Sequence, residues 1–80
     1  MNILTVLKEA EGLTPGESRL ADYILKNTKD FIAMPPREIP DRLFISLPTV
    51  YRLIHKLGLK GLSEFKLELK AAFLLSLIHI

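Results

Sequence analysis

The side chains able to do chemistry are concentrated between residues 46 and 56, in the run Ser46-Leu47-Pro48-Thr49-Val50-Tyr51-Arg52-Leu53-Ile54-His55-Lys56. Turned at about 100° per residue, this run sorts itself into two faces. Val50, Leu53, Ile54 and Leu57 form one apolar stripe. Pro48, Tyr51, Arg52, His55 and Lys56 cover the opposite side, with Thr49 on its flank. That polar face offers a guanidinium, an ammonium, an imidazole and a phenol, and residues 46–56 include no carboxylate. Such a set suits a polyanion. Arg52 can bond bidentately to guanine O6 and N7, which discriminates between bases by about 1–3 kcal/mol. Lys56, Lys60 and Arg42 suit phosphate oxygens, which set register and salt dependence. Ser46 and Thr49 lie at the start of the helix, where free backbone N–H groups favour phosphate. Any amphipathic helix also turns a polar side to water, and bases near its C-terminus complement its dipole. Contact with DNA and a solvated face both remain open on these residues alone.

The elements that must position this face are helical. Ile3, Leu4, Leu7 and Ala10 mark a short amphipathic helix closed near Gly12. Thr14-Pro15-Gly16-Glu17 is a start signal: Thr14 caps, Pro15 takes the first position, and Glu17 completes a capping box. The stripe Leu20, Ala21, Ile24 and Leu25 follows, with Asn27 as a left-handed stop. A turn of helix around Asp30–Ala33 leads to Met34-Pro35-Pro36, an extended corner. The segment Arg37–Leu43 suits a short helix that Pro40 resists, so this helix starts with Pro40 in its first turn or kinks there. Ser46 then caps the helix of residues 47–57, with Pro48 in its first turn, and Gly58 ends it. Ser63 caps a last helix whose inward positions include Phe65, Leu69, Ala72 and Phe73. No alternating strand pattern and no repeat occurs. The expected architecture is all-α, a small bundle of about five helices containing a helix-turn-helix, whose second helix enters the major groove.

The overall charge, eleven Lys or Arg against nine Asp or Glu, conceals an asymmetry. Residues 1–41 carry a net −2, residues 42–80 a net +4, and no acid lies between Arg42 and Gly61. A local excess of this kind is an electrostatic footprint for nucleic acid. Eighty residues make one domain and leave little room for the walls of an enzyme pocket. With no cysteine there is no disulfide, thiolate metal site or thiol nucleophile, and a reducing compartment, the cytoplasm, is expected. His55 and His79 are the only histidines, so neither a metal nor another cofactor is expected. Ser46 and His55 are nine residues apart on one helix, too far for a nucleophile and its base. No phosphate loop occurs, and no catalytic residue is assigned. Gly58-Leu59-Lys60-Gly61 matches the loop of a KH module, but the sheet that module needs has no counterpart, so these glycines punctuate helices.

Three stretches together resemble the N-terminal domain of RpiR-type transcriptional regulators: Leu13-Thr14-Pro15 through Ala21-Asp22-Tyr23-Ile24-Leu25, then Ser46 to Arg52, then Lys56-Leu57-Gly58-Leu59-Lys60-Gly61-Leu62-Ser63-Glu64-Phe65-Lys66. The resemblance covers residues 3 to 70, and its last stretch is the most specific. It implies a helical DNA-binding domain with Ser46, Thr49, Tyr51, Arg52, His55 and Lys56 on the recognition helix. It also implies a sugar-isomerase-like domain that senses phosphorylated sugars and helps form dimers or tetramers. Phe44 stands where the family usually has glycine, and a bulky side chain there is expected to stay out of a positive-φ conformation. Pro40 lies inside the first helix of the motif, and Pro35 and Pro36 replace a capping serine and an apolar residue. These departures fall in the positioning half of the motif.

Residues 1–70 are therefore expected to be a helix-turn-helix domain that binds double-stranded DNA as a homodimer on a pseudo-palindromic operator. The expected contacts are Arg42, Ser46, Pro48, Thr49, Tyr51, Arg52, His55, Lys56 and Lys60. Residues 71–80 are an apolar end of the last helix, too short to span a bilayer, that packs on a second chain or is a truncated or non-native tail. A sugar-phosphate effector would act only through a domain missing from these residues. The rival reading is a helical oligomerisation module that binds no DNA.

Overall fold

Helix boundaries in this chain are set by hydroxyl caps and prolines, and the structure, a computed structural model describing residues 2–78, follows them closely. The elements are α1 (Ile3–Glu9), α2 (Pro15–Lys26), α3 (Thr28–Ala33), a single 3-10 turn (Pro36–Glu38), α4 (Ile39–Leu43), α5 (Leu47–Lys56) and α6 (Leu62–Ile78). Among the described residues there is no strand, and the fold is all-α as expected. Among the described residues the bundle has six α-helices where about five were expected. Thr14 and Glu17 form the reciprocal capping box of α2, with Pro15 in its first turn. Ser46 accepts from the Thr49 N–H at the head of α5. Met34 and Pro35 are extended, and Pro40 sits in the first turn of α4, where its missing N–H leaves no gap in the ladder.

α6 is the long strut of the molecule, and α1, α3 and α5 all pack against it while α2 bridges α1 and α5. Ile3, Leu20, Ile24, Phe31, Ile39, Val50, Leu53, Ile54, Phe65 and Leu69 are fully buried at the shared centre. Phe31 and Phe65 meet edge to face at 6.0 Å, joining α3 to α6. The Lys66 ammonium lies 5.8 Å from the Phe31 ring centroid and donates to the Met34 carbonyl oxygen, and its partial burial holds its pKa below the usual lysine value. α2 and α5 approach closely at Gly16, where a Cβ would come within 3.3 Å of Thr49 Cγ2. Gly58, at φ 85°, turns the chain out of α5 at its C-terminus, where a left-handed residue is favoured.

Three expectations are corrected. Asn27 is not left-handed: at φ −136° it feeds straight into α3, and its N–H still bonds the Tyr23 carbonyl oxygen. Ser63 is not the cap of α6, because the helix begins one residue earlier at Leu62 and the Phe65 N–H reaches the Gly61 carbonyl oxygen. Phe44 does adopt the left-handed conformation, at φ 55° and ψ 43°. Its side chain is 83% exposed, so the conformation disturbs no core packing, while the backbone strain of a non-glycine residue there remains. Arg19 of α2 reinforces the bend by donating through Nη2 to the carbonyl oxygens of Leu43 and Phe44, each at 3.0 Å.

The inward positions foreseen for α6 are buried at Phe65, Leu69 and Ala72 and half-buried at Phe73. Beyond them Leu74, Leu75, Leu77 and Ile78 stay exposed, and Leu67 shares their side of the bundle. His79 and Ile80, the end of the apolar segment, lie outside the described residues. No described helix is long and apolar enough to cross a membrane.

A non-glycine residue in the left-handed region costs about 1–2 kcal/mol. Since Phe44 buries almost nothing, Phe44→Gly is expected to stabilise the domain by about 1 kcal/mol after the added chain entropy of glycine is discounted. Thermal unfolding followed by circular dichroism should show a midpoint about 4–8 °C higher. An unchanged or lower midpoint would mean that Phe44 makes a stabilising contact.

Candidate nucleic-acid interface

α5 owes its orientation to its two faces. Val50, Leu53 and Ile54 are fully buried, and opposite them Pro48, Tyr51, Arg52 and His55 are exposed. α4, the three-residue turn Phe44-Ile45-Ser46 and α5 form the helix-turn-helix, with α5 as its second helix. Ser46 is exposed at the N-terminus of α5.

The charge pattern of this face differs from the expected one. A carboxylate arrives from outside the basic stretch: Glu17, at the head of α2, has a fully buried side chain against α5. Its Oε1 accepts from the Thr14 N–H at 3.0 Å and from Lys56 Nζ at 2.6 Å, and its Oε2 accepts from Arg52 Nε at 3.4 Å. Lys56 Nζ also donates to the Gly12 carbonyl oxygen at 3.1 Å. The Lys56 hydrogen bond holds the Glu17 carboxyl below its ordinary pKa, against the opposing effect of burial. Lys56, expected from sequence as a phosphate contact, thus ties α5 to α2 while its side chain stays part exposed.

Thr49, also read as a contact, is buried beneath the same face. Its Oγ1 accepts from Arg52 Nη2 at 3.0 Å and lies 2.8 Å from Ser46 Oγ. The structure therefore brings Ser46, Thr49, Arg52, Glu17 and Lys56 into one hydrogen-bonded line, of which Ser46, Arg52 and Lys56 are exposed and Thr49 and Glu17 are buried.

The remaining predicted residues fall outside this line. Arg42, on α4, sits 3.7 Å from Glu38 in an exposed ion pair. Tyr51 and Lys60 border an open groove of about 660 Å³, whose walls also include Pro36, Ser63 and Lys66. The Lys60 ammonium has no acidic partner among the described residues, and its backbone N–H donates to Glu64 Oε1. No described cluster of His, Asp or Glu could hold a metal ion.

Two positioning residues were missed from sequence, both on α2. Glu17 is legible in sequence only as a cap; its tertiary role is to hold the part-exposed Arg52 and Lys56 of the acid-free stretch. Arg19, which grips the turn, had no signal at all.

A family model described as a helix-turn-helix domain, rpiR family, matches residues 1–75. The chain belongs to this family. An rpiR-type helix-turn-helix is the DNA-binding domain of a transcriptional regulator. Among curated relatives, Bifunctional protein glk of Paraburkholderia xenovorans is 42% identical over 59 residues, 74% of this chain and 9% of that protein. The protein of the same name from Burkholderia mallei is likewise 42% identical over 59 residues, again 9% of its length. An uncharacterized HTH-type transcriptional regulator of Caldanaerobacter subterraneus is 29% identical over 69 residues, 85% of this chain and 24% of that protein. The rpiR-type domain thus spans a minor part of each of these relatives. No solved structure gives a significant match.

Because the Glu17 pKa is lowered in the folded rpiR-type domain, its contribution to stability is complete above the ordinary value of 4.5 and disappears as pH falls through the lower folded value. Glu17→Gln is expected to reduce stability at pH 7 by about 1–2 kcal/mol, the partners being able to recover some water. Urea unfolding across pH 2.5–7 (about that range) should show the wild type losing stability more steeply than the variant below the ordinary carboxylate value. Parallel curves would remove the carboxylate from the account.

Proposed function

We propose that α5 of this rpiR-type domain lies in the major groove of double-stranded DNA, with Arg52 reading a guanine and Ser46, Pro48, Tyr51 and His55 lining the contact. The observation that carries this reading is the exposed, acid-free rim of α5 around a guanidinium already held at one edge. Lys60 and Arg42 flank the helix and contact phosphates. Lys56 fixes α5 from the side facing α2, and Thr49 supports Arg52 from beneath. The setting is the cytoplasm of a cell with bacterial-type regulation. A sugar-phosphate effector would act through a further domain, because the groove beside Tyr51 is open and has no enclosing wall.

Two copies bind together, on a pseudo-palindrome with half-sites about 34 Å apart or a multiple of it. The exposed leucines Leu67, Leu74, Leu75 and Leu77 with Ile78 on α6 support pairing between copies, since an apolar patch of this kind is rarely left to water. The same patch favours the rival reading of a helical interaction module that binds no DNA.

Titrating salt against binding to random duplex separates the two. DNA binding gives a log–log slope of about −0.9 for each phosphate contacted, and the rival gives no binding. Arg52→Ala should reduce preference for the operator over random duplex by about 5- to 150-fold, equivalent to 1–3 kcal/mol. Lys60→Ala should weaken both duplexes alike and flatten the salt slope by about one phosphate. Equal losses on both duplexes from both variants would contradict this division. Selection of bound duplexes from a random library supplies the operator, and half-sites lacking a common spacing would argue against paired copies.

A further inference from the structure

The geometry points to Glu17 and Thr49 as specificity-determining residues that never touch DNA: together they hold the Arg52 guanidinium so that only its outer edge is offered to a base. This rests on the reading of α5 as the recognition helix. A guanidinium carries five N–H donors in a fixed plane. Here Nε donates to Glu17 Oε2 at 3.4 Å and Nη2 donates to Thr49 Oγ1 at 3.0 Å, so two donors are held on the protein side. The Nη1 group and the second Nη2 hydrogen remain, and these form the end-on fork that matches O6 and N7 of guanine. The Arg52 side chain is 56% exposed, whereas the Glu17 side chain is fully buried, so the reading group is at the surface and its anchor is inside.

Without such an anchor, a long arginine side chain on an exposed helix face samples many rotamers, and ordering it on binding subtracts from the discrimination it supplies. The two holding groups are themselves fixed. Thr49 is wedged against the start of α2 at Gly16 and bonded to Ser46, and Glu17 is tied by the Thr14 N–H and by Lys56. The anchor also requires both carboxylate oxygens. Oε1 is occupied by Thr14 and Lys56 and Oε2 by Arg52, so a carboxamide, with one acceptor oxygen, cannot satisfy all three. In Glu17→Gln the oxygen stays with Thr14 and Lys56, and the amide NH2 faces the Arg52 Nε–H, donor against donor.

The test measures dissociation constants by fluorescence anisotropy, on the duplex selected from a random library and on random duplex of equal length. The proteins are wild type, R52A, T49V, T49S, E17Q and the double variant R52A/T49V, each first shown to be helical by circular dichroism. T49V keeps the branched shape without the hydroxyl; T49S keeps the hydroxyl. T49V and E17Q are expected to lower the ratio of operator to random affinity by about 3- to 10-fold, a part of the full arginine contribution. T49S should retain the wild-type ratio, and the double variant should be no worse than R52A. A purely structural role would lower both affinities, or the folded fraction, with the ratio unchanged. If R52A lowers the ratio and T49V and E17Q do not, or if the double variant loses additively, the anchoring role is overturned while the recognition helix stands. If R52A itself leaves the ratio unchanged, the reading of α5 fails and the anchor with it. Should T49V not fold, E17Q decides the matter by the same ratio.

Discussion

One buried carboxylate organises this domain. Glu17 is needed first by its own helix, whose N-terminus it closes through the Thr14 N–H. It faces inward, and a charge left alone there would cost several kcal/mol. The cost is offset because α5 presents Lys56 and Arg52 to the same two oxygens, the first at 2.6 Å. Both cations remain part exposed, so each keeps some hydration while the anion gives up nearly all of its own. That asymmetry makes the cluster a device for orientation more than for stability. α5 can neither roll nor slide along α2 without separating Lys56 from Glu17.

A second constraint acts at the other end of α5. The turn between α4 and α5 has three residues, too few for a gradual reversal, so one of them must be left-handed. Phe44 takes that conformation although it lacks the freedom of glycine. Arg19, two residues beyond Glu17, grips the carbonyl oxygens of Leu43 and Phe44. α2 therefore holds both the turn that aims α5 and the helix itself. It is the jig of the motif, although it contributes none of the proposed DNA contacts.

What was legible in sequence was what is local. The Thr14–Glu17 box, the Ser46 cap, the early Pro40 and the Gly58 turn each follow from residues within four positions of one another, and each is found where expected. The apolar stripe of α5 was equally clear, since periodicity is a property of the helix alone. Three features were not legible. Thr49 sits at the edge of the helical wheel, and only the close approach permitted by Gly16 decides that it is buried. Lys56 and Arg52 looked unopposed because their anion lies 39 and 35 residues away in the chain. The left-handed Phe44 is not legible because steric preference alone disfavours it, whereas the solvent around its side chain and the Arg19 bonds at the bend depend on the tertiary fold.

The corrected pairings change what the positive end of the chain can do. Six bases lie in residues 42–80. Arg52 and Lys56 are drawn to Glu17, Arg42 to Glu38, and Lys66 points inward to Met34, leaving Lys60 and Lys70 without acidic partners among the described residues. Counterion release grows with the number of phosphates neutralised, so on the proposed reading this stretch by itself would gain little sequence-independent affinity from its two unpaired cations. On the proposed reading, its hold on DNA would come from base contacts and from a second copy engaging a neighbouring groove. On that reading the same economy would favour discrimination, because weak binding to random duplex would leave the difference made by a fixed guanidinium intact. An acid-free stretch in sequence would suggest a sticky polycation. Folded, most of its positive charge is drawn to specific protein partners, and the guanidinium of Arg52 is the one held at a fixed edge on the exposed face of α5.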